Sequence, residues 1–163
     1  MNDNVIVIGI GEYVVVEGPT KISTMGLGSC IGTVIYDENG KISGMSHIML
    51  PKRINPDDKI GKYADTALPA MINDMIKKGA DKHRMKAKIA GGASLFDFKD
   101  DTLRIGERNA EAVEEVLKNE NIRITGKDVG GDRGRTIIFD PVTTELFIKM
   151  VKKGPNEPEI KII

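Results

Sequence analysis

The 163-residue sequence predicts an α+β fold, a mixed and largely antiparallel sheet system with helices gathered on one side. Three observations carry this. Short β-branched runs crowd the first half and return near the end, only two stretches repeat apolar residues at helical spacing, and glycine-rich breaks separate the runs. The length suits one domain with a real core, expected over residues 1–150, followed by an extended or flexible tail over 151–163.

The first strands are VIVIGI from Val5, EYVVVEG from Glu12, CIGTVIYD from Cys30 and KISGMSHIML from Lys41. Asp37-Glu38-Asn39-Gly40 separates the last two, and Asn-Gly is a strong hairpin turn because both residues tolerate positive φ. Between Asp58 and Lys78 the residues Tyr63, Ala67, Met71, Ile72, Met75 and Ile76 recur at helical spacing, and Gly79 stands where a C-cap falls. Pro69 inside this pattern predicts a kink, or a helix that begins near it. AKIAGGASLF reads as the next strand and Glu107 to Asn119 as a second amphipathic helix, with Ala110, Val113, Val116 and Leu117 inward and Asn121 or Gly126 as punctuation. IRITGKDVGG, RTIIFD and TELFIKM complete the strands. KKGPNEPEIKII, with two prolines and many charges, is either loose or docked as an extended arm. No internal repeat or low-complexity tract is present.

Lysine plus arginine and aspartate plus glutamate each total 24, so no net field attracts a polyanion, and no basic block carries interleaved aromatics. Nucleic acid is not an expected partner. A single cysteine excludes an internal disulfide, the start lacks the pattern of a signal peptide, and no apolar run approaches the roughly 20 residues of a membrane span. The expectation is a cytoplasmic protein without direct membrane insertion.

That single cysteine, Cys30, ends the stretch GLGSC, and one of only two histidines, His47, follows in GMSHIML. If the hairpin turn is centred on Glu38 and Asn39, Cys30 lies opposite His47. If it is centred on Asn39 and Gly40, Cys30 opposes Met49 and His47 is its diagonal neighbour. Both registers put thiol and imidazole on one face, whereas a three-residue bulged loop would separate them. An imidazole beside a thiol can lower the thiol pKa and later give a proton to a leaving group. Gly26 and Gly28 let backbone approach a substrate closely, and the amides near Ser29 and Cys30 can stabilise an oxyanion. Thr24 is a candidate orienter for the imidazole. The competing reading is structural, because cysteine is among the most buried residue types.

Five motifs in order, STMGLGSCIGTVIYD, GMSHIMLP, KIAGGASLF, IGERN and DVGGDRGRTIIFD, resemble the CheD family of chemoreceptor glutamine deamidases over about Ile8 to Lys149. The resemblance implies a cysteine amidohydrolase with an α-β-β layered fold, similar to the catalytic domain of the cytotoxic necrotizing factor toxins. It implies Cys30 as nucleophile, His47 as base and Thr24 as third member, with no cofactor. The implied partners are the cytoplasmic helical region of methyl-accepting chemoreceptors and a CheC-type phosphatase. One departure is visible: where this chain reads PVTTELFIKM, the family usually has a glycine in the hairpin. Rival readings are a non-catalytic module that binds the phosphatase, and a methylesterase or transglutaminase using the same nucleophile.

Other features carry less. His83, in GADKHRMKAK, reads as a solvated loop residue, and one cysteine with two distant histidines lacks zinc-ligand spacing, so no metal is expected. No Gly-Lys-Ser/Thr follows Gly91-Gly92, which reads as a bulge or close packing and not as a phosphate loop. Phe96 reads as core, with the site mouth shared by Ser94 and Phe96 as the alternative. Arg108, Asn109, Asp132, Arg133 and Arg135 fit a polar network bracing the loops as well as they fit substrate contact. The methionines read as packing residues.

Overall fold

The computed structural model of the chain describes residues 4–39, 41–94, 104–151, 155 and 159–163. Gly40 of the hairpin turn, the LF end of AKIAGGASLF with Phe96, and parts of the tail lie outside the described residues. The strands are β1 (Val5–Ile8), β2 (Tyr13–Glu17), β3 (Lys21–Leu27), β4 (Ile31–Asp37), β5 (Ile42–Ile48), β6 (Met85–Gly91), β7 (Arg123–Val129), β8 (Arg135–Asp140), β9 (Glu145–Met150) and β10 (Ile160–Ile162). Two α-helices, α1 (Ala64–Lys77) and α2 (Ile105–Asn119), complete the frame.

The strands form two five-stranded sheets, one in the order β1-β3-β8-β9-β10 and the other β2-β5-β4-β6-β7. Among the described strands, β1–β3 and β6–β7 pair in parallel and the other pairs are antiparallel. This is a mixed, mostly antiparallel α/β fold. Alternation along β4 and β5 explains how the layers assemble, because successive side chains point to opposite faces. Ile31, Ile35, Ile42 and Ile48 join Leu68, Met71, Val113 and Leu117 of the helices in one core. Val34, Tyr36 and Met45 join Ile22, Leu27, Ile137 and Phe139 of the other sheet in a second core. The central sheet therefore has both faces covered, which is why every residue of β4 and β5 is buried.

α1 buries Ala64, Ala67, Leu68, Met71, Ile72 and Met75, a stripe at helical spacing, while Ile76 is exposed. The helix begins five residues before Pro69, so the proline does not mark its start. Gly79 follows α1 at φ +108° and Asn121 follows α2 at φ +58°, the left-handed conformation common just past helix ends. β3 is a strand that the sequence reading did not contain. It is broken by a register shift between Thr24 and Leu27 with Gly26 at φ +71°. β10 pairs with β9, and Arg133–Glu159 and Lys161–Asp128 ion pairs hold the same arm.

The departure noted in PVTTELFIKM has a conformational counterpart. Thr144, in the turn between β8 and β9, sits at φ +60°, where a β-branched side chain meets its own backbone. Thr144→Gly should relieve this and raise unfolding stability by about 1 kcal/mol. A higher urea midpoint would agree; a lower one would contradict the strain.

Candidate active site

Cys30 follows the bulged end of β3 and immediately precedes β4, and His47 is the penultimate residue of β5. The observed ladder pairs Ile31 with Ile48 and Gly32 with His47, so the hairpin is centred between residues 39 and 40. Of the registers open to the sequence, this is the one that makes Cys30 and His47 diagonal neighbours on one face. That face is turned toward the other sheet, as the membership of Cys30 in the inter-sheet core also shows. Gly32, opposite the imidazole, leaves room there: a Cβ on it would press on Ile137 and Leu27.

Thr24 reaches the imidazole from the opposing sheet. Its Oγ1 lies 2.7 Å from His47 Nδ1 and donates to the carbonyl of Ile8 at 2.9 Å, and both residues are fully buried. A hydroxyl has one proton to donate. Since the Ile8 carbonyl takes it, Oγ1 accepts from Nδ1–H, and neutral His47 carries its lone pair on Nε2. That atom is buried and has no hydrogen-bond partner among the described residues. A buried nitrogen with an open lone pair is costly unless something uses it. It marks the base.

Burial pushes the Cys30 thiol up and the His47 imidazole down. Both shifts favour a neutral thiol beside a neutral imidazole. Burial thus opposes the lowering of the thiol pKa that a neighbouring imidazole can produce. The third member explains part of this, because threonine orients the ring without the negative charge with which an aspartate would stabilise imidazolium.

The backbone beside the thiol is tied down at three successive carbonyls. Gly28 accepts from Ala93 N at 2.8 Å, Ser29 from Asn109 Nδ2 at 3.0 Å and Cys30 from Gly92 N at 2.9 Å. The approach of β6 requires glycine at position 91, where φ is +114° and a Cβ would fall against the Cys30 carbonyl oxygen. The Ser29 and Cys30 amides donate to no described backbone carbonyl. The arrangement can bring a thiol, an imidazole lone pair and two backbone amides to one carbonyl group.

The structure separates the other candidates from this centre. Arg135 is 2% exposed and donates to the Gly91 and Gly130 carbonyls at 3.1 and 2.9 Å and to Asp128 at 3.1 Å, so it braces the glycine turns. Arg108 and Asp132 are also partnered. Ser94 lines a concavity of about 430 Å³ between α2 and the Gly130–Gly131 turn, which neither Cys30 nor His47 lines. His83 lies in the exposed segment before β6, where its amide donates to Asp81. Among the described residues no three of His, Cys, Asp and Glu converge on one point, and no helix is long and apolar enough to cross a membrane.

A family profile described as CheD chemotactic sensory transduction matches residues 49–150. The chain is 44% identical to the chemoreceptor glutamine deamidase CheD of Bacillus licheniformis, over 93% of each chain. It is 45% identical to that of Halalkalibacterium halodurans, over 96% of this chain and 99% of the relative. The chain belongs to the CheD family. The Thermotoga maritima CheD is 44% identical over 96% of this chain and 98% of its own. A match over 96% of the chain leaves only a handful of residues outside it, so it takes in Thr24, Cys30 and His47. Among solved structures, a Neisseria meningitidis protein has the same general fold at a TM-score of 0.51 and 12% identity, covering 79% of this chain and 64% of that one.

Asn109, which the sequence leaves open between bracing the loops and contacting substrate, braces the cysteine turn. It donates to Ser29 and also to the Met49 carbonyl at 2.9 Å, within the buried stripe of α2. Its Oδ1 is buried and has no hydrogen-bond partner among the described residues. Such an atom costs about 1–3 kcal/mol, which an apolar residue in that stripe would avoid.

The two burial shifts can be checked together by alkylating the native protein with iodoacetamide across a pH series. The rate at Cys30 should still be climbing beyond the ordinary cysteine pKa of about 8.5. A plateau reached below neutrality would mean a resting thiolate.

Proposed function

We propose that this CheD-family chain is a chemoreceptor glutamine deamidase, in which Cys30 is the nucleophile, His47 the general base and acid, and Thr24 the orienter of the ring. The observation that supports this most is the chain Ile8 carbonyl–Thr24–His47, which leaves a buried Nε2 lone pair on the face that also carries Cys30.

In the acylation half, Nε2 takes the thiol proton as Sγ bonds to the carboxamide carbon of a receptor glutamine and the carbonyl electron pair moves onto oxygen. The backbone amides of the Gly28-Ser29-Cys30 turn, those of Ser29 and Cys30, receive that oxygen. The imidazolium returns the proton to nitrogen, ammonia leaves, and a glutamyl thioester remains. Water then gives a proton to Nε2 and attacks the thioester, the thiolate departs and recovers the proton, and the product is glutamate. The glutamic acid formed gives its proton to the ammonia, so the balance is glutamine plus water to glutamate plus ammonium. In the receptor, a neutral amide becomes a carboxylate in the cytoplasmic helical region, which alters the electrostatics of the helix bundle.

The finer fold reading also belongs to this proposal. Helices on one face of a sheet, with a second sheet on its other face, support an α-β-β sandwich like the catalytic domain of the cytotoxic necrotizing factor toxins.

The second implied partner, a CheC-type phosphatase, is proposed to share the mouth of the site. Met25, next to Thr24 in the chain, and Met49, two residues after His47, are 61% and 40% exposed. Exposed flexible thioethers suit docking of an apolar helix face. Rising phosphatase should then raise the apparent KM for a receptor fragment at constant kcat. Unchanged kinetics at saturating phosphatase would separate the two surfaces.

For the chemistry, the assay is ammonia release with mass spectrometry of receptor peptides. Cys30→Ala should abolish conversion of glutamine to glutamate, His47→Ala should lower kcat by on the order of 10²–10⁴-fold, and His83→Ala should leave it unchanged. Because burial holds the imidazole below its ordinary value of about 6.5, activity should stay level above that pH and fall only on further acidification. Conversion that survives Cys30→Ala would reject the assignment.

A further inference from the structure

Asn109 occupies a position where α2 otherwise presents Ala110, Val113 and Leu117 to the core. Both of its amide hydrogens are committed, one to the Ser29 carbonyl and one to the Met49 carbonyl. These two carbonyls flank the mouth of the β4–β5 hairpin, since the register that pairs Ile31 with Ile48 carries Cys30 toward Met49. Two carbonyl oxygens can share one side-chain nitrogen only if that nitrogen is the donor, so the orientation of the amide follows from its partners.

We infer that Asn109 is a positioning residue for the oxyanion donors. A trans peptide is planar, so the Ser29 carbonyl and the Cys30 N–H belong to one rigid unit and point in opposite directions. Drawing the carbonyl toward α2 aims the Cys30 N–H away from the helix layer, the side on which His47 and Thr24 lie. The flanking peptide units are held through the Gly28 and Cys30 carbonyls by the amides of Ala93 and Gly92. Those two tethers are backbone. Asn109 is the one side chain among the three, and it reaches the loop because Gly106, one turn earlier, lets α2 press against the carbonyls of Gly92 and Ala93.

The inference rests on the deamidase reading for its natural substrate, but its test does not. Two small reagents separate thiol reactivity from oxyanion stabilisation at the same sulfur. With iodoacetamide, Sγ displaces iodide and no oxyanion forms. With p-nitrophenyl acetate, Sγ bonds to the carbonyl carbon, the electron pair passes to oxygen, and nitrophenolate leaves as the pair returns. Cys30→Ala supplies the background for both.

Asn109→Asp replaces the donor by an acceptor facing two carbonyls, and Asn109→Ser keeps a shorter donor and serves if the first variant does not fold. Either should slow acylation on the order of 10- to 100-fold, less than the 10²–10³-fold typical of losing an oxyanion donor outright. Alkylation should stay within about twofold of the unsubstituted protein, with the same pH profile. In the receptor assay kcat should fall while KM holds, because the donors act on the charge of the transition state. Parallel losses in alkylation and acylation would make Asn109 a structural support of the thiol, and unchanged acylation would remove it from the site; either overturns the inference. Failure of the deamidase reading would show separately, as no glutamate formed by the unsubstituted protein, with the two reagents still deciding the role of Asn109.

Discussion

The hydrogen bond between Thr24 and His47 ties the chemistry to the fold. It crosses from one sheet to the other, and each end is set by its own ladder. Thr24 pairs with Ile8 in β1 and Ile137 in β8, and His47 pairs with Gly32 in β4. Because the Ile8 carbonyl consumes the threonine proton, the protonation pattern of the imidazole follows from where a backbone carbonyl lies. The base therefore depends on the packing of two sheets. A one-residue slip of β3 or β5 in its own ladder would turn its side chain to the other face.

This packing also governs how the thiol is used. A cysteine held near a charged imidazole would be reactive toward any electrophile that reached it. Here burial favours the neutral form of both groups, and the neutral orienter adds no charge to change that. In the proposed mechanism the proton moves when a carbonyl is in place to receive the sulfur. Tethering of the turn through the carbonyls of Gly28, Ser29 and Cys30 serves the same end, since donors arranged before the reaction need no reorganisation during it. A buried Asn109 with an unsatisfied oxygen, and a Gly91 that no other residue can replace without collision, are the structural costs of that arrangement.

Much of this was legible in the chain. The β4–β5 hairpin could be read because Asn-Gly marks a local turn, and the even register it allows keeps Cys30 and His47 on one face. The helical stripes of α1 and α2 were equally local, although Ile76 proved exposed and α1 began before Pro69. β3 escaped notice because KISTMGL is broken by a glycine bulge and pairs in parallel with β1 through a crossover, neither of which leaves a period-two pattern. Thr24 was therefore named as an orienter of the imidazole, and as third member by resemblance, without a strand to carry it. The partners of Asn109 could not be read from spacing, since Ser29 and Met49 lie 80 and 60 residues away. The thiol shift was misjudged for a related reason: proximity to an imidazole is visible in a sequence, and the burial that outweighs it is a property of the assembled layers.

The most direct test of this account is the protonation state of the His47 ring in the resting protein, read by two-bond nitrogen–proton correlation NMR on the ¹⁵N-labelled chain. His83, the only other histidine, is the internal control. At neutral pH His47 should show a proton on Nδ1 and a bare Nε2, and should titrate only below the ordinary histidine value of about 6.5. A ring protonated on Nε2, or an imidazolium at neutral pH, would contradict the donor order from His47 through Thr24 to Ile8 and with it the neutral resting pair.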